Sequence, residues 1–182
     1  GLERALNNKD AYQTELAIKR ILLLNSIIIS YTGIPLLYSG DEIGALNYYD
    51  YKNNPEECGD SRWLHRGPMD WKKAENRKDK TTVEGIIFNK IKEMIEIRKN
   101  NSEFSSLIHS QPVFTGNKGV FAFHKEDKML VLANFTEHEQ RIDANSVNWF
   151  GLPNVTEDMI QGKKVKLEGT IVLGPYEYLW LK

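Results

Sequence analysis

The chain has 182 residues, of which 41% are hydrophobic and 27% charged, with 24 basic side chains against 25 acidic ones. That is enough for one domain, or for one small domain plus part of another, around a real core. The near-neutral balance and scattered basic residues give no sign of a nucleic-acid binder, and runs such as Arg77, Lys78 and Lys80 read as a solvated face.

Cys58 is the one cysteine. It has no partner for an internal disulfide, and no Cys/His set has metal-ligand spacing, so a cytoplasmic setting fits. No nearby His forms a nucleophile signature with it, and it reads as a loop thiol.

From the start, Gly1-Leu2-Glu3 runs straight into helix-like sequence, which leads us to expect a piece of a longer protein. Asn8 or Asp10 can cap a helix whose apolar residues Leu16, Ile21, Leu24 and Ile28 recur at helical spacing. Ile27 and Ile29 widen its apolar face. The apolar stretch Ile21 to Ile29 is too short to span a bilayer, so no membrane partner is expected. Gly33 and Pro35 end the helix, and Ile34 to Tyr38 predicts a short buried strand. Helix, Gly-Pro connection and buried strand together describe an α/β unit.

Residues 44 to 80 are polar and rich in turn formers, among them Asn53-Asn54-Pro55, Gly59 and Gly67-Pro68. A stretch this long without periodicity is uncommon in a compact domain unless it is functional or disordered. Tyr48, Tyr49, Tyr51, Trp63 and Trp71 give it material to pack, which argues for function. Val83, Ile87, Ile91, Met94 and Ile95 then predict an amphipathic helix ending near Lys99-Asn100. From about 108 the period changes. Val120 to Phe123, Met129 to Phe135, Val165 to Leu167, Ile171 to Leu173 and Tyr176 to Leu181 predict short strands, with Glu126-Asp127-Lys128 as a hairpin loop. Such spacing indicates a small antiparallel sandwich.

Two places carry candidate chemistry. "GIPLLYSGDEIG" ends in Gly40, Asp41 and Glu42. In α/β barrels, loops after the C-terminal ends of strands build the active site. Adjacent carboxylates there can do acid/base work or simply cap the next loop. Spacing alone favours the capping role, because neighbouring side chains tend to point apart. The second place, "HRGPMDW", puts His65, Arg66, a rigid Gly67-Pro68 step and Trp71 together. Arg66 offers a fixed fork of donors suited to a carboxylate partner.

"GIPLLYSGDEIG" resembles the eighth barrel strand and following loop of the α-amylase superfamily of glycoside hydrolases. "DSRWLHRGPMDW", with Leu46 to Tyr51 before it, resembles amylosucrases and, more loosely, α-glucosidases and trehalose synthases. "IEIRKNNSEF" is similar to the end of the family's eighth helix, and "DMIQGKKV" and "LGPYEYLWL" to parts of its C-terminal β-domain. The resemblance implies α/β plus all-β architecture: the C-terminal portion of a (β/α)8 TIM barrel over residues 1–107, then an antiparallel β-sandwich domain over 108–182. It implies an enzyme acting on α-glucosidic bonds, with sucrose as the leading donor and an α-glucan or water as acceptor. Arg66 would pair with an aspartate from an early barrel loop and close the floor of the glucosyl pocket. Asp41, Glu42, His65 and Trp71 would be its neighbours in substrate binding. His65 reads as a structural hydrogen-bonder, and Trp63 and Trp71 more readily as buried loop anchors than as sugar platforms.

The family's retaining chemistry uses one carboxylate as nucleophile and another as acid then base. No segment resembles the family's Arg-x-Asp nucleophile motif or its His-Asp pair, since each of the four histidines (65, 109, 124 and 138) is followed by something other than Asp. No catalytic residue is therefore assigned, and the chain by itself is expected to be inactive. The resemblance implies no cofactor; some members bind calcium, but no ligand set for it is visible. One barrel strand with two helices leaves sheet edge and apolar helix faces exposed, and self-association of two copies would bury them. The alternative from another class is a non-catalytic carbohydrate-binding or interaction module.

Overall fold

The structure is a computed structural model that describes all residues, 1–182. It divides into two compact units: residues 1–18 with 37–90, and residues 19–36 with 91–182. No helix is long and apolar enough to cross a membrane.

In the first unit, α1 (Leu2–Asn7) leads to the start of α2 (Ala11–Ser30). Asp10 begins α2 by accepting the Gln13 N–H at 2.9 Å, so of the two expected caps it is the aspartate that acts. A chain of 3-10 turns follows (Asp41–Ile43, Tyr49–Asn53, Ser61–His65), then α3 (Trp71–Glu75) and the start of α4 (Val83–Asn100). The Thr82 hydroxyl caps α4 by accepting the Gly85 N–H at 3.0 Å. Ile87 and Ile91 are buried as the helical spacing predicts, and Met94 with them.

The inward face of α2 differs from the expected one. Leu24 and Ile28 are exposed, whereas Leu22, Asn25, Ser26, Ile29 and Ser30 are buried. Apolar residues surround this helix, so periodicity does not select a face. The polar residues turn inward because each satisfies itself on its own helix. Ser26 donates to the Leu23 carbonyl at 2.8 Å, Ser30 to Ser26 at 2.6 Å and Asn25 to Ile21 at 2.9 Å.

The strand expected at Ile34 to Tyr38 does not form a ladder, and Ile34, Leu36 and Tyr38 are 86%, 83% and 56% exposed. Apolar content supplies strand propensity, but a strand needs a neighbour to pair with. The segment's first residues are fixed by side chains instead. Arg98 of α4 donates to the carbonyls of Ile29, Tyr31 and Gly33 at 2.5, 3.2 and 2.6 Å.

The second unit holds the β-structure. Strands β1 (Ser110–Val113), β2 (Val120–Lys125), β3 (Met129–Asn134), β5 (Val155–Asp158), β6 (Lys163–Lys166) and β8 (Tyr178–Leu181) form one antiparallel sheet in the order β1-β2-β3-β8-β5-β6. A second layer is only β4 (Gln140–Asp143) paired with β7 (Thr170–Leu173), followed in sequence after β4 by the short helix α5 (Ala144–Val147). Leu130, Leu132, Leu181, Ile142, Val147 and Leu173 fill the core between the layers. Alternation sends Phe123, Lys125 and Trp180 to the opposite face of the large sheet. There Phe123 meets Tyr31 edge-on at 5.1 Å, and Trp180 meets Phe104 at 5.0 Å.

Lys125 is fully buried on that face, its ammonium 3.3 Å from the Ser30 carbonyl and over the Phe104 ring. Burial, with a smaller contribution from Arg98, pulls its pKa down to about 8. Below that pH the group is charged in both states and its desolvation opposes folding in full. As pH climbs toward about 10.5, the native chain releases the proton first and stability rises, by an amount on the order of 3 kcal/mol at most. Urea unfolding followed across this window should show the rise in the wild type and not in Lys125→Met. A flat wild-type profile would mean that Lys125 reaches water.

Candidate functional site

The loop after Tyr38 turns sharply because Gly40 and Gly44 both adopt positive φ, at 102° and 63°. A Cβ on Gly44 would lie 2.7 Å from Ile87. Between these glycines the Asp41–Ile43 turn sends its two carboxylates to different tasks. Glu42 folds back and accepts the Gly40 N–H at 2.8 Å, which is the capping role. Asp41 lines a pocket of about 330 Å³, and partial burial raises its carboxyl above the usual range, with Glu42 adding to the effect.

The opposite wall is built by the Ser61–His65 turn and the Gly67-Pro68 step. Asp60 starts this turn by accepting the Arg62 N–H at 2.9 Å. The Arg62 guanidinium also grips the Asp60 carboxylate, at 2.7 to 2.9 Å, and holds its pKa down to about 2. The Tyr48 N–H donates to the Leu64 carbonyl at 2.8 Å and draws the two loops together. Gly67 then lies so close that a Cβ there would meet the Tyr48 Cβ at 2.5 Å. Glycine at 67 is therefore a requirement of contact, and Pro68 fixes the direction of exit. Asp70 caps α3 by accepting the Lys73 N–H at 3.0 Å.

Of the residues expected at a site, Asp41 and His65 share this pocket, with Tyr38, Asn47, Tyr48 and Lys73. Glu42, Arg66 and Trp71 do not line it. Arg66 is exposed as the residue that closes the Ser61–His65 helix; its side chain makes no hydrogen bond or ion pair, and its charge adds slightly to the lowering of the Asp60 pKa. Trp71 is 74% exposed, so it is not the buried loop anchor that its size suggested. Asn47 and Tyr49 are tied to Glu3 at 2.7 and 2.9 Å. Sequence reasoning missed Lys73 and Asn47. Tyr48 was noted only as packing material, although Tyr48 against Gly67 is what joins the walls. The pocket thus presents a carboxylate, an imidazole, an ammonium, an amide and a tyrosine ring. These are directional donors and acceptors beside an apolar surface. No group of three or more His, Cys, Asp or Glu side chains is placed to hold a metal ion.

The homologues and structural neighbours of the chain are α-amylase-family enzymes, matched at low identity, and its antiparallel sheet domain after a helical portion is consistent with their C-terminal β-domain following a barrel. Over 158 residues, 85% of its length, it is 27% identical to a cyclomaltodextrinase of Thermoanaerobacter pseudethanolicus (strain ATCC 33223 / 39E). Over 183 aligned positions, covering 98% of the chain, it is 22% identical to the glucosylglycerate phosphorylase of Escherichia coli (strain K12). It spans 23% and 30% of those relatives' own lengths. Among solved structures, AmyP in complex with maltose superposes with a TM-score of 0.69 at 18% identity, over 94% of this chain and 35% of that one. No family model matches.

Proposed function

We propose that the chain is the C-terminal part of an enzyme that cleaves or transfers α-glucosidic bonds with retention, its catalytic carboxylates lying on polypeptide outside these residues. Residues 1–107 act as the end of the barrel and 108–182 as its β-domain. The observation that carries this reading is the pocket after Tyr38, which Asp41 and His65 both line and whose loops are joined by Gly67 against Tyr48. Arg66 serves as the cation that pairs with an aspartate of an earlier barrel loop, and its exposed guanidinium, which makes no hydrogen bond or ion pair here, supports that role. Trp71, equally exposed, is free to stack on a sugar. The amylosucrase-like stretch from Asp60 to Trp71 makes sucrose the first donor to try, with glucosyl passed to an α-glucan or to water. A cytoplasmic setting suits the unpaired Cys58.

The test is fructose release from sucrose, alongside glucose release from maltotriose, by this chain and by the longest product of its gene. Activity in the longer protein with none in the chain is the expected result. Activity of the longer product on maltotriose alone would keep the α-glucosidic reading and discard sucrose. Turnover by the chain alone would overturn the placement of the carboxylates.

A further inference from the structure

Asn47 lines the pocket and is half-buried. Its side chain is tied to groups that do not line it. The Asn47 Nδ2 donates to the Glu3 carboxylate of α1 at 2.7 Å and to the Tyr49 hydroxyl at 3.2 Å. The Tyr49 hydroxyl donates in turn to the same Glu3 oxygen, at 2.9 Å. Between the two tied residues the backbone is extended, with φ −99° and ψ 96° at Tyr48. Side chains alternate in extended backbone, so Asn47 and Tyr49 reach Glu3 while Tyr48 packs on Gly67.

An amide can turn either end toward a neighbour, but a carboxylate can only accept. Glu3 therefore settles which way the Asn47 amide faces. The nitrogen turns to Glu3 and spends its two hydrogens there and on Tyr49, while the Asn47 Oδ1 makes no hydrogen bond. The residue thus brings to the pocket an acceptor whose orientation is fixed by a helix at the start of the chain. Such an atom gains a bond only from a donor that enters from outside.

We infer that Asn47 is a specificity-determining residue of this pocket, its Oδ1 accepting a hydroxyl of the bound sugar, and that Glu3 is the positioning residue that keeps this oxygen turned to it. A hydroxyl can donate to Oδ1, whereas an ionised phosphate or carboxylate at the same place cannot. The position therefore favours a neutral sugar unit over its phosphorylated or oxidised counterpart. That the sugar is α-glucosidic rests on the function proposed above.

Kinetics of the longest product of the gene, on sucrose and on maltotriose, test this. Asn47→Ala should lower kcat/KM about tenfold. Glu3→Gln should lower it less, about threefold, because a glutamine amide can hold Asn47 by either end. Asn47→Asp sets two carboxylates against each other and should cost at least as much as Asn47→Ala. Adding Glu3→Gln to Asn47→Asp supplies a donor to the new carboxylate, leaves its second oxygen for the sugar, and should return kcat/KM to within about threefold of wild type. Monodeoxy analogues of whichever sugar is turned over separate sugar contact from mere support of the loop. On the analogue that lacks the accepted hydroxyl, Asn47→Ala should cost less than about twofold, since the bond is already missing. An Asn47→Ala penalty that stays the same on every monodeoxy analogue overturns the inference. So does a kcat/KM for Asn47→Ala within about twofold of wild type in an enzyme that Arg66→Ala disables, which leaves the α-glucosidic reading standing. Turnover of neither sugar removes that reading, and this inference with it.

Discussion

Asp158→Ala is expected to lower the unfolding free energy by about 3 to 5 kcal/mol. The carboxylate is fully buried and accepts three backbone N–H groups. One oxygen takes Trp180 at 3.0 Å and Ile160 at 3.2 Å, and the other takes Gln161 at 3.2 Å. Asp158 is also the residue through which β5 meets β8, opposite Leu181. Truncation would leave three donors without acceptors at the joint between the outer β5-β6 pair and the rest of the sheet. Asp158→Asn keeps the doubly used oxygen and turns a donor toward Gln161, so a smaller loss, about 1 to 2 kcal/mol, should follow. Burial raises the Asp158 carboxyl above its ordinary value despite these bonds. The native state therefore holds its proton more tightly than the unfolded chain. The resulting contribution is present below about pH 3.8 and is lost as pH rises through the folded value. Denaturant unfolding of the three proteins checks both points. A wild-type-like midpoint for Asp158→Ala would mean that water replaces the carboxylate.

The second large effect concerns catalysis. In the active enzyme, Arg66→Ala should lower kcat/KM by about 100-fold, close to 2.7 kcal/mol of transition-state binding. A guanidinium that closes a sugar pocket leaves a buried carboxylate unpaired when removed, and that penalty is what kinetics would read. Arg66→Lys should recover little, since an ammonium has no planar fork. Thermal melting of this chain should be little affected, because here the side chain is exposed and makes no hydrogen bond or ion pair. A surface arginine would instead leave kcat/KM within about twofold of wild type.

What the sequence revealed depended on how local the cause was. The Asp10 cap, the α4 helix and the β2–β3 hairpin each follow from residues within a few positions, and all appear as expected. Strands β1, β4 and β5 escaped notice because they are four residues long and largely polar, with Pro112 tolerable only on the sheet edge that β1 occupies. The burial face of α2 was illegible because leucine and isoleucine surround it. At the site, Asp41 and His65 were readable as chemistry after a strand-like segment and beside a Gly-Pro step. Lys73 was not, since its place on the pocket wall depends on where α3 begins.

The grip of Arg98 on three alternate carbonyls has a consequence for the order of folding. The path of residues 29 to 33 out of their helix is set by a side chain 65 to 69 positions later in the sequence. Loop closure over that distance must come before the grip can form. While the chain emerges during synthesis, α2 can wind early, but its exit stays undirected until the last turn of α4 is made. The exit from α2 is therefore among the last parts of the chain to take its final course.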